Sequence, residues 1–162
     1  MLTKRYEEAL AFATKKHEGQ TRRGGKPYIT HPMAVAETVL SWGYDEEYAL
    51  AALFHDLLED TDATEEEILS LSSAAVLDAV KRLTKEEGYQ MDRYIAAIKE
   101  NEIARTVKAA DRLHNLRCAV VCDESFKKRY IRETRAWYMD FSPEIGEALT
   151  ALENTLQEPL DD

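Results

Sequence analysis

The sequence has little of what marks disordered, disulfide-stabilised or membrane-spanning proteins. Six glycines and four prolines in 162 residues, with 44% hydrophobic residues, are typical of a globular chain that buries a core. Cys118 and Cys122 lie four residues apart on one predicted helix, which favours neither a disulfide nor a complete zinc site. We expect them to pack as small hydrophobic residues. The charged N-terminal segment has no apolar run of signal-peptide or membrane-span length, so we expect a cytoplasmic protein.

Basic residues are outnumbered in this chain. The 31 acidic residues exceed the 21 basic ones, which gives a formal net charge of −10. Such a surface would repel nucleic acids and acidic membranes, so the composition argues against both as partners. A small anionic ligand would therefore need a local basic pocket or a metal ion. The sequence leaves the oligomeric state open.

Convincing strand patterns are missing, and helical periodicity runs along nearly the whole chain. Local signals mark several predicted helix ends. Gly19 follows a first helix over about residues 3–18, and Pro32 and Gly43 mark the start and end of the second. Later helices are predicted to start at Asp45, at a Thr64–Glu67 capping box and at Ser142-Pro143. No repeat or long linker divides the chain. We therefore expect residues 1–162 to form a single all-α domain, with residues 157–162 as a disordered polar tail.

The segment FHDLLEDT, residues 54–61, places ionisable side chains on a predicted third helix that is otherwise apolar on nearly every side. A helix of this kind is expected to be central and buried. A buried Asp56 would need a cation, a metal ion or several hydrogen bonds. Glu59 and Asp60 follow one helical turn after His55 and Asp56. The segment therefore predicts two pairs of polar side chains, one helical turn apart, on one side of the helix. The alternative interpretation is that this side of the helix simply faces water.

Further candidate ligands occur in PYITHP, which contains His31, and in VKAADRLHNLR, which contains Asp111. Histidine and aspartate without cysteine favour Mn, Fe, Zn or Mg over a thiolate-bound metal. Each residue has a simpler interpretation as well. His31 could be satisfied by local hydrogen bonds at a helix start, and Asp111 by a salt bridge to Lys108 or Arg112.

Four stretches, in order along residues 5–140, together resemble one known family. They are HEGQTRRGGKPYITHPMAVAETVL, ALFHDLLEDTDAT, VKAADRLHNLR and YIRETRAWY. The combination resembles the hydrolase domain of RelA/SpoT homologues, a branch of the HD-domain metal-dependent phosphohydrolases. Since no synthetase domain follows in this sequence, the resemblance is to the stand-alone small alarmone hydrolases. It implies an all-α helical bundle of the HD type.

The resemblance also implies roles for individual residues. The metal ligands, usually for Mn²⁺, would be His31, His55, Asp56 and Asp111. Glu59 and Asp60 would position and deprotonate the attacking water. The substrate contacts would be Arg22, Arg23, Lys26, Lys108, Asn115 and Arg117. Gly24 stands where many relatives carry a larger polar residue, and we expect His114 to be a hydrogen-bonded core residue.

The implied reaction is hydrolysis of guanosine tetra- or pentaphosphate at the 3′ position, which releases pyrophosphate and GDP or GTP. Two alternatives remain open. One is an HD phosphohydrolase that acts on an adenosine 3′-pyrophosphate or on the 2′-phosphate of NADPH. The other is a nucleotide-binding regulatory module without turnover.

Overall fold

Helices follow one another along the whole of this computed structural model, which describes residues 2–160. Their bounds are α1 Lys4–Lys16, α2 Thr30–Ser41, α3 Glu46–Phe54, α4 Leu57–Asp60, α5 Glu65–Leu71, α6 Ala74–Leu83, α7 Met91–Lys99, α8 Glu102–Cys118, α9 Glu124–Trp137 and α10 Pro143–Glu153, with a 3-10 helix at Ala119–Val121. Within the described residues, β pairing is limited to one isolated bridge between Thr21 and Pro27. The predicted all-α fold is confirmed.

Helix α3 lies at the centre of the bundle. Its residues 49–54 are all fully buried, and it packs against α1, α2, α6 and α8. A helix with neighbours on every side needs no polar face, which explains why the sequence is apolar around the whole helix before His55. The prediction that this helix is central and buried is therefore confirmed.

Several helix ends follow the predicted signals. Thr64 and Glu67 form the capping box, and Asp45 accepts a hydrogen bond from the Glu47 amide. Helix α2 instead begins at Thr30, two residues before the expected start at Pro32. Proline is tolerated there because the amide groups of a first helical turn have no partner within the helix.

The expected continuous helix through FHDLLEDT is wrong, because α3 ends at Phe54 and α4 begins at Leu57. The backbone amide and the Nδ1 atom of His55 both donate to the Ala52 carbonyl, at 3.4 and 2.6 Å. Helical bonding resumes where the Asp60 amide donates to the Asp56 carbonyl, at 3.0 Å. The break leaves His55 buried while Glu59 and Asp60 are exposed.

A second cluster of buried side chains joins α8, α9 and α10, and includes Leu116, Ile131 and Leu152. The segment after α10 contacts this part of the molecule: the Gln157 amide donates to the Glu124 carboxylate at 2.7 Å, and Leu160 packs against the cluster. Residues 161 and 162 of the expected tail lie outside the described residues. Across residues 2–160, every helix falls short of the length and hydrophobicity that a membrane crossing requires.

The capping box at the start of α5 gives a stability prediction. Thr64→Ala removes the side-chain acceptor of the Glu67 amide, and we expect the free energy of unfolding to fall by about 1 kcal/mol. Urea denaturation followed by circular dichroism measures this. Ser70→Ala, at an exposed site on the same helix, is the control and should change stability by less than about 0.5 kcal/mol. Equal losses in the two variants would contradict the capping role.

Candidate metal centre and adjoining pocket

Three separate helices bring His31, His55 and Asp111 to one buried point. His31 lies in the first turn of α2, His55 directly follows α3, and Asp111 lies in the middle of α8. One nitrogen or oxygen atom from each residue lies within 4.8 Å of the others. Asp111 Oδ1 is 2.7 Å from His31 Nε2 and 3.3 Å from His55 Nε2. The structure therefore places two imidazoles and a carboxylate around a common centre.

Asp56 joins this group from the turn between α3 and α4. Its Oδ2 atom lies 3.1 Å from His55 Nε2 and accepts a hydrogen bond of 2.6 Å from the Tyr28 hydroxyl. Burial, followed by the negative charge of Asp56, raises the pKa of Tyr28 well above its usual value. Tyr28 is therefore protonated at neutral pH and acts as the donor. All four residues predicted as metal ligands lie together.

The donor set fits a divalent metal ion. His55 Nε2 is buried and has no hydrogen-bond partner among the described residues, although carboxylate oxygens of Asp56 and Asp111 lie nearby. Burial alone would lower the pKa of His55, but the two carboxylates raise it well above its ordinary value. The site therefore favours a positive charge at this point, which a cation bound by imidazole and carboxylate would supply.

Hydrogen bonds behind the two imidazoles fix their orientation. His31 Nδ1 lies 2.7 Å from His114 Nδ1, and His55 Nδ1 donates to the Ala52 carbonyl. Both Nε2 atoms are consequently directed toward Asp111, as expected of histidines that bind a metal through Nε2. Burial, His31 and Arg22 lower the pKa of His114 to about 4, so that its ring is neutral at neutral pH.

Lys108 contacts the carboxylate oxygen of Asp111 that does not face the histidines. Its Nζ atom lies 3.0 Å from Asp111 Oδ2, and it is 5.7 and 5.5 Å from the ring centres of Tyr94 and Tyr138. Burial disfavours the charge of Lys108, but Asp111 raises its pKa well above the usual value. Lys108, which the family resemblance suggests as a substrate contact, is thus engaged as an ion-pair partner of Asp111.

A cavity of about 300 Å³ opens beside the candidate metal centre. Arg22 connects the two, because its Nη2 donates to Asn115 Oδ1 at 2.8 Å while Asn115 Nδ2 donates to Asp111 Oδ1 at 3.2 Å. Arg23 lies over the Phe126 ring at 4.4 Å. The lining residues are Thr21, Arg22, Arg23, Tyr28, Asn115, Cys118, Ala119, Cys122, Phe126 and Tyr130. Guanidinium groups and aromatic rings suit a ligand with phosphates and a flat base.

The remaining predicted residues lie outside this cavity wall. Lys26 and Arg117 are exposed, and neither lines the cavity. Glu59 and Asp60 are exposed on α4, and the Glu59 carboxylate accepts a hydrogen bond of 2.7 Å from the Lys85 amide. Burial, Asp56 and Glu59 raise the pKa of Asp60 to about 6. Both carboxylates are therefore accessible to water, and Asp60 lies close enough to Asp56 to feel its charge.

Some residues of the site were not predicted from the sequence. Tyr28 stands inside the PYITHP motif and was not recognised as a hydrogen-bond donor. Phe126 and Tyr130 lie four residues apart on α9 and stack with ring centres 5.4 Å apart; this spacing could have indicated an aromatic wall. The two cysteines line the cavity and are partly exposed, whereas we expected them to pack as small hydrophobic residues.

Comparison with known proteins agrees with this geometry. A family model described as an HD domain matches residues 9–146. The chain belongs to the HD-domain family. It is 34% identical over 160 residues to a guanosine-3′,5′-bis(diphosphate) 3′-pyrophosphohydrolase of Aquifex aeolicus, covering 94% of this chain and 23% of that protein. It is also 34% identical to the bifunctional (p)ppGpp synthase/hydrolase SpoT of Escherichia coli K12, covering 88% of this chain and 22% of that protein.

These relatives confirm the resemblance to RelA/SpoT homologues, although the chain spans less than a quarter of their length. A solved structure has a TM-score of 0.72 and 24% identity, and the match covers 93% of this chain and 97% of the other. That structure is described as a metazoan ortholog of SpoT that hydrolyzes ppGpp and plays a role in starvation responses. At this identity the match supports the HD-domain fold.

The Tyr28–Asp56 hydrogen bond gives a prediction about metal affinity. Tyr28→Phe keeps the ring and removes the donor to Asp56, so we expect the metal dissociation constant to rise about 10- to 100-fold. Titration of the purified protein against a fluorescent metal chelator measures this constant. Tyr44→Phe is the control, because Tyr44 stacks on Tyr48 between α2 and α3. An unchanged constant for Tyr28→Phe would contradict a role of this hydroxyl in the site.

Proposed function

We propose that this protein is a Mn²⁺-dependent hydrolase of guanosine 3′-pyrophosphates that acts in the cytoplasm. One observation carries the proposal: the hydrogen-bonded chain Arg22–Asn115–Asp111 connects the arginine-lined cavity to the candidate metal centre. A ligand in the cavity would therefore place an anionic group beside the metal ligands. The named activities of the relatives from Aquifex aeolicus and Escherichia coli support the same reaction.

In the proposed reaction, one group of residues would bind the metal ion and another would bind the substrate. His31, His55, Asp56 and Asp111 would hold the ion, which when bound lowers the pKa of a water molecule and offsets charge that develops at phosphorus. Arg22 and Arg23 would bind the phosphates and orient the nucleotide. This local pair of cations explains how a protein of net charge −10 attracts a polyanion.

The acidic pair on α4, Glu59 and Asp60, would accept the proton of the attacking water. Glu59 and Asp60 are one turn beyond His55 and Asp56 and are exposed to solvent. In this proposal a carboxylate of the pair accepts a proton from a water at the metal centre without itself being a ligand. We propose Glu59 as the acceptor that orients the water, with Asp60 as its neighbour in proton exchange with solvent.

Product analysis of the purified protein tests the proposed reaction. We expect guanosine tetraphosphate with Mn²⁺ to yield pyrophosphate and GDP, and a chelator to abolish the release. The adenosine analogue and NADPH, assayed in parallel, test the two nearest alternatives. Turnover of one of these in place of guanosine tetraphosphate would change the assigned substrate. No turnover of any nucleotide by the metal-loaded protein would contradict an enzymatic function.

Asp56→Asn tests the metal centre directly. The amide cannot supply the negative charge that Asp56 places 3.1 Å from His55 Nε2. We expect the variant to lose most bound metal, measured by elemental analysis after gel filtration, and at least about 100-fold in kcat. Asp92→Asn, at an exposed site in α7, is the matched control. Full metal content in Asp56→Asn would remove Asp56 from the ligand set.

Glu59→Gln separates proton transfer from metal binding. We expect the variant to bind metal as the wild type does and to lose about 10²- to 10⁴-fold in kcat, since a carboxamide cannot accept the proton. The measurements are metal content and steady-state kinetics on the same preparation. Loss of metal in parallel with activity would instead identify Glu59 as a ligand.

A further inference from the structure

The carboxylate of Glu59 is held by a main-chain group from a different part of the chain. Its Oε1 atom accepts a hydrogen bond of 2.7 Å from the amide of Lys85, 26 residues further along. Lys85 belongs to the loop between α6 and α7. Because Glu59 is exposed and lies on a helix of only four residues, this contact from outside α4 restrains a side chain that would otherwise sample several rotamers.

The two residues just before this amide are held by hydrogen bonds to α6 and α7. Thr84 donates through Oγ1 to the Val80 carbonyl at 2.7 Å, and the buried Tyr94 donates through its hydroxyl to the Leu83 carbonyl at 3.1 Å. The Lys85 ammonium lies 5.4 Å from the centre of the Tyr94 ring. The direction of the Lys85 N–H bond is therefore set by the packing of α6 and α7 before any ligand binds.

The chemical nature of the donor matters in this location. A lysine or arginine side chain would neutralise the carboxylate as well as orient it, whereas an amide carries no net charge. The amide therefore fixes the direction of the Glu59 carboxylate without placing a positive charge beside it. One acceptor site of Oε1 is occupied by the Lys85 amide, whereas both acceptor sites of the second carboxylate oxygen stay available to water.

We infer that the main-chain amide of Lys85 is a positioning group for the reaction, which orients Glu59 toward the attacking water. The inference rests on the proposed function, because it concerns the residue that we propose as proton acceptor. It adds the α6–α7 loop to the machinery of the site through a main-chain contact that no side-chain motif encodes.

Two substitutions at the same position isolate the amide. Lys85→Ala and Lys85→Pro both lose the ammonium, but only proline also loses the N–H. Thr84 has an extended conformation, with φ −91° and ψ 122°, which a following proline accepts. We expect kcat to be about 10- to 100-fold lower in Lys85→Pro than in Lys85→Ala, with KM and the metal dissociation constant equal within about threefold. A lower metal affinity in the proline variant would indicate a distorted site and overturn the inference.

A double-mutant cycle tests whether the effect passes through Glu59. In a Glu59→Ala background the kcat ratio between the alanine and proline variants should fall below about threefold, since there is no carboxylate left to orient. If the ratio persists, the amide acts elsewhere and the inference is wrong. Equal kcat for Lys85→Ala and Lys85→Pro in an otherwise active enzyme would overturn the inference alone, whereas absence of turnover in the wild type would overturn the proposed function together with it.

A measurement without turnover covers the case in which Lys85→Pro does not fold. The Lys85 amide proton, assigned by nuclear magnetic resonance in the wild-type chain, should shift markedly upfield in Glu59→Ala, because a bond to a carboxylate is lost. Glu86→Ala, at an exposed neighbouring site in the same loop, controls for local effects of charge. An unchanged Lys85 resonance in Glu59→Ala would show that the contact is not formed in solution and would overturn the inference.

Discussion

The buried carboxylate of Asp111 is the group on which the rest of the site depends. One of its oxygens faces His31, His55 and the Asn115 amide, while the other is paired with Lys108 at 3.0 Å. The pKa of Asp111 lies well below the usual value: burial opposes its charge, but Lys108 and the two histidines outweigh burial. A carboxylate in such a place is stable only with all of these partners. These partners come from α2, from the residue after α3 and from α8 itself, which meet at this point.

The positive charges behind Asp111 are accommodated by aromatic rings. Arg112 is buried between Tyr130 and Tyr138, with its guanidinium 4.2 and 4.0 Å from the two ring centres, and it pairs with Glu133. Together with the stacked rings of Phe126 and Tyr130 on α9, these contacts form a continuous column from the cavity wall to the candidate metal centre. Its order is Arg23, Phe126, Tyr130, Arg112, Tyr138 and Lys108. The wall of the cavity and the side chains that pack behind Asp111 are therefore one packed unit.

The sequence predicts the parts of this protein that depend on periodicity and on motif chemistry. The helical fold, the central position of α3 and the capping box of α5 follow from local patterns, and the four candidate ligands follow from motifs that occur in order along the chain. The break after Phe54 could not be predicted from local patterns, because it depends on the ring of His55. This ring donates to the Ala52 carbonyl, which in a continuous helix would accept from the Asp56 amide. Likewise the Lys85 contact joins residues far apart in the chain, and a main-chain donor leaves no trace in residue type.

The chain of hydrogen bonds from Arg22 through Asn115 to Asp111 has a thermodynamic consequence. Asn115 accepts from the arginine with one atom of its amide and donates to the carboxylate with the other. An anion that draws Arg22 away changes the partner of Asn115, and through it the stabilisation of the charge on Asp111. For the ligands of the proposed reaction, occupancy of the cavity and occupancy of the candidate metal centre would thereby be linked equilibria. If a bound cation raises the affinity for an anion by a given factor, the bound anion raises the affinity for the cation by the same factor.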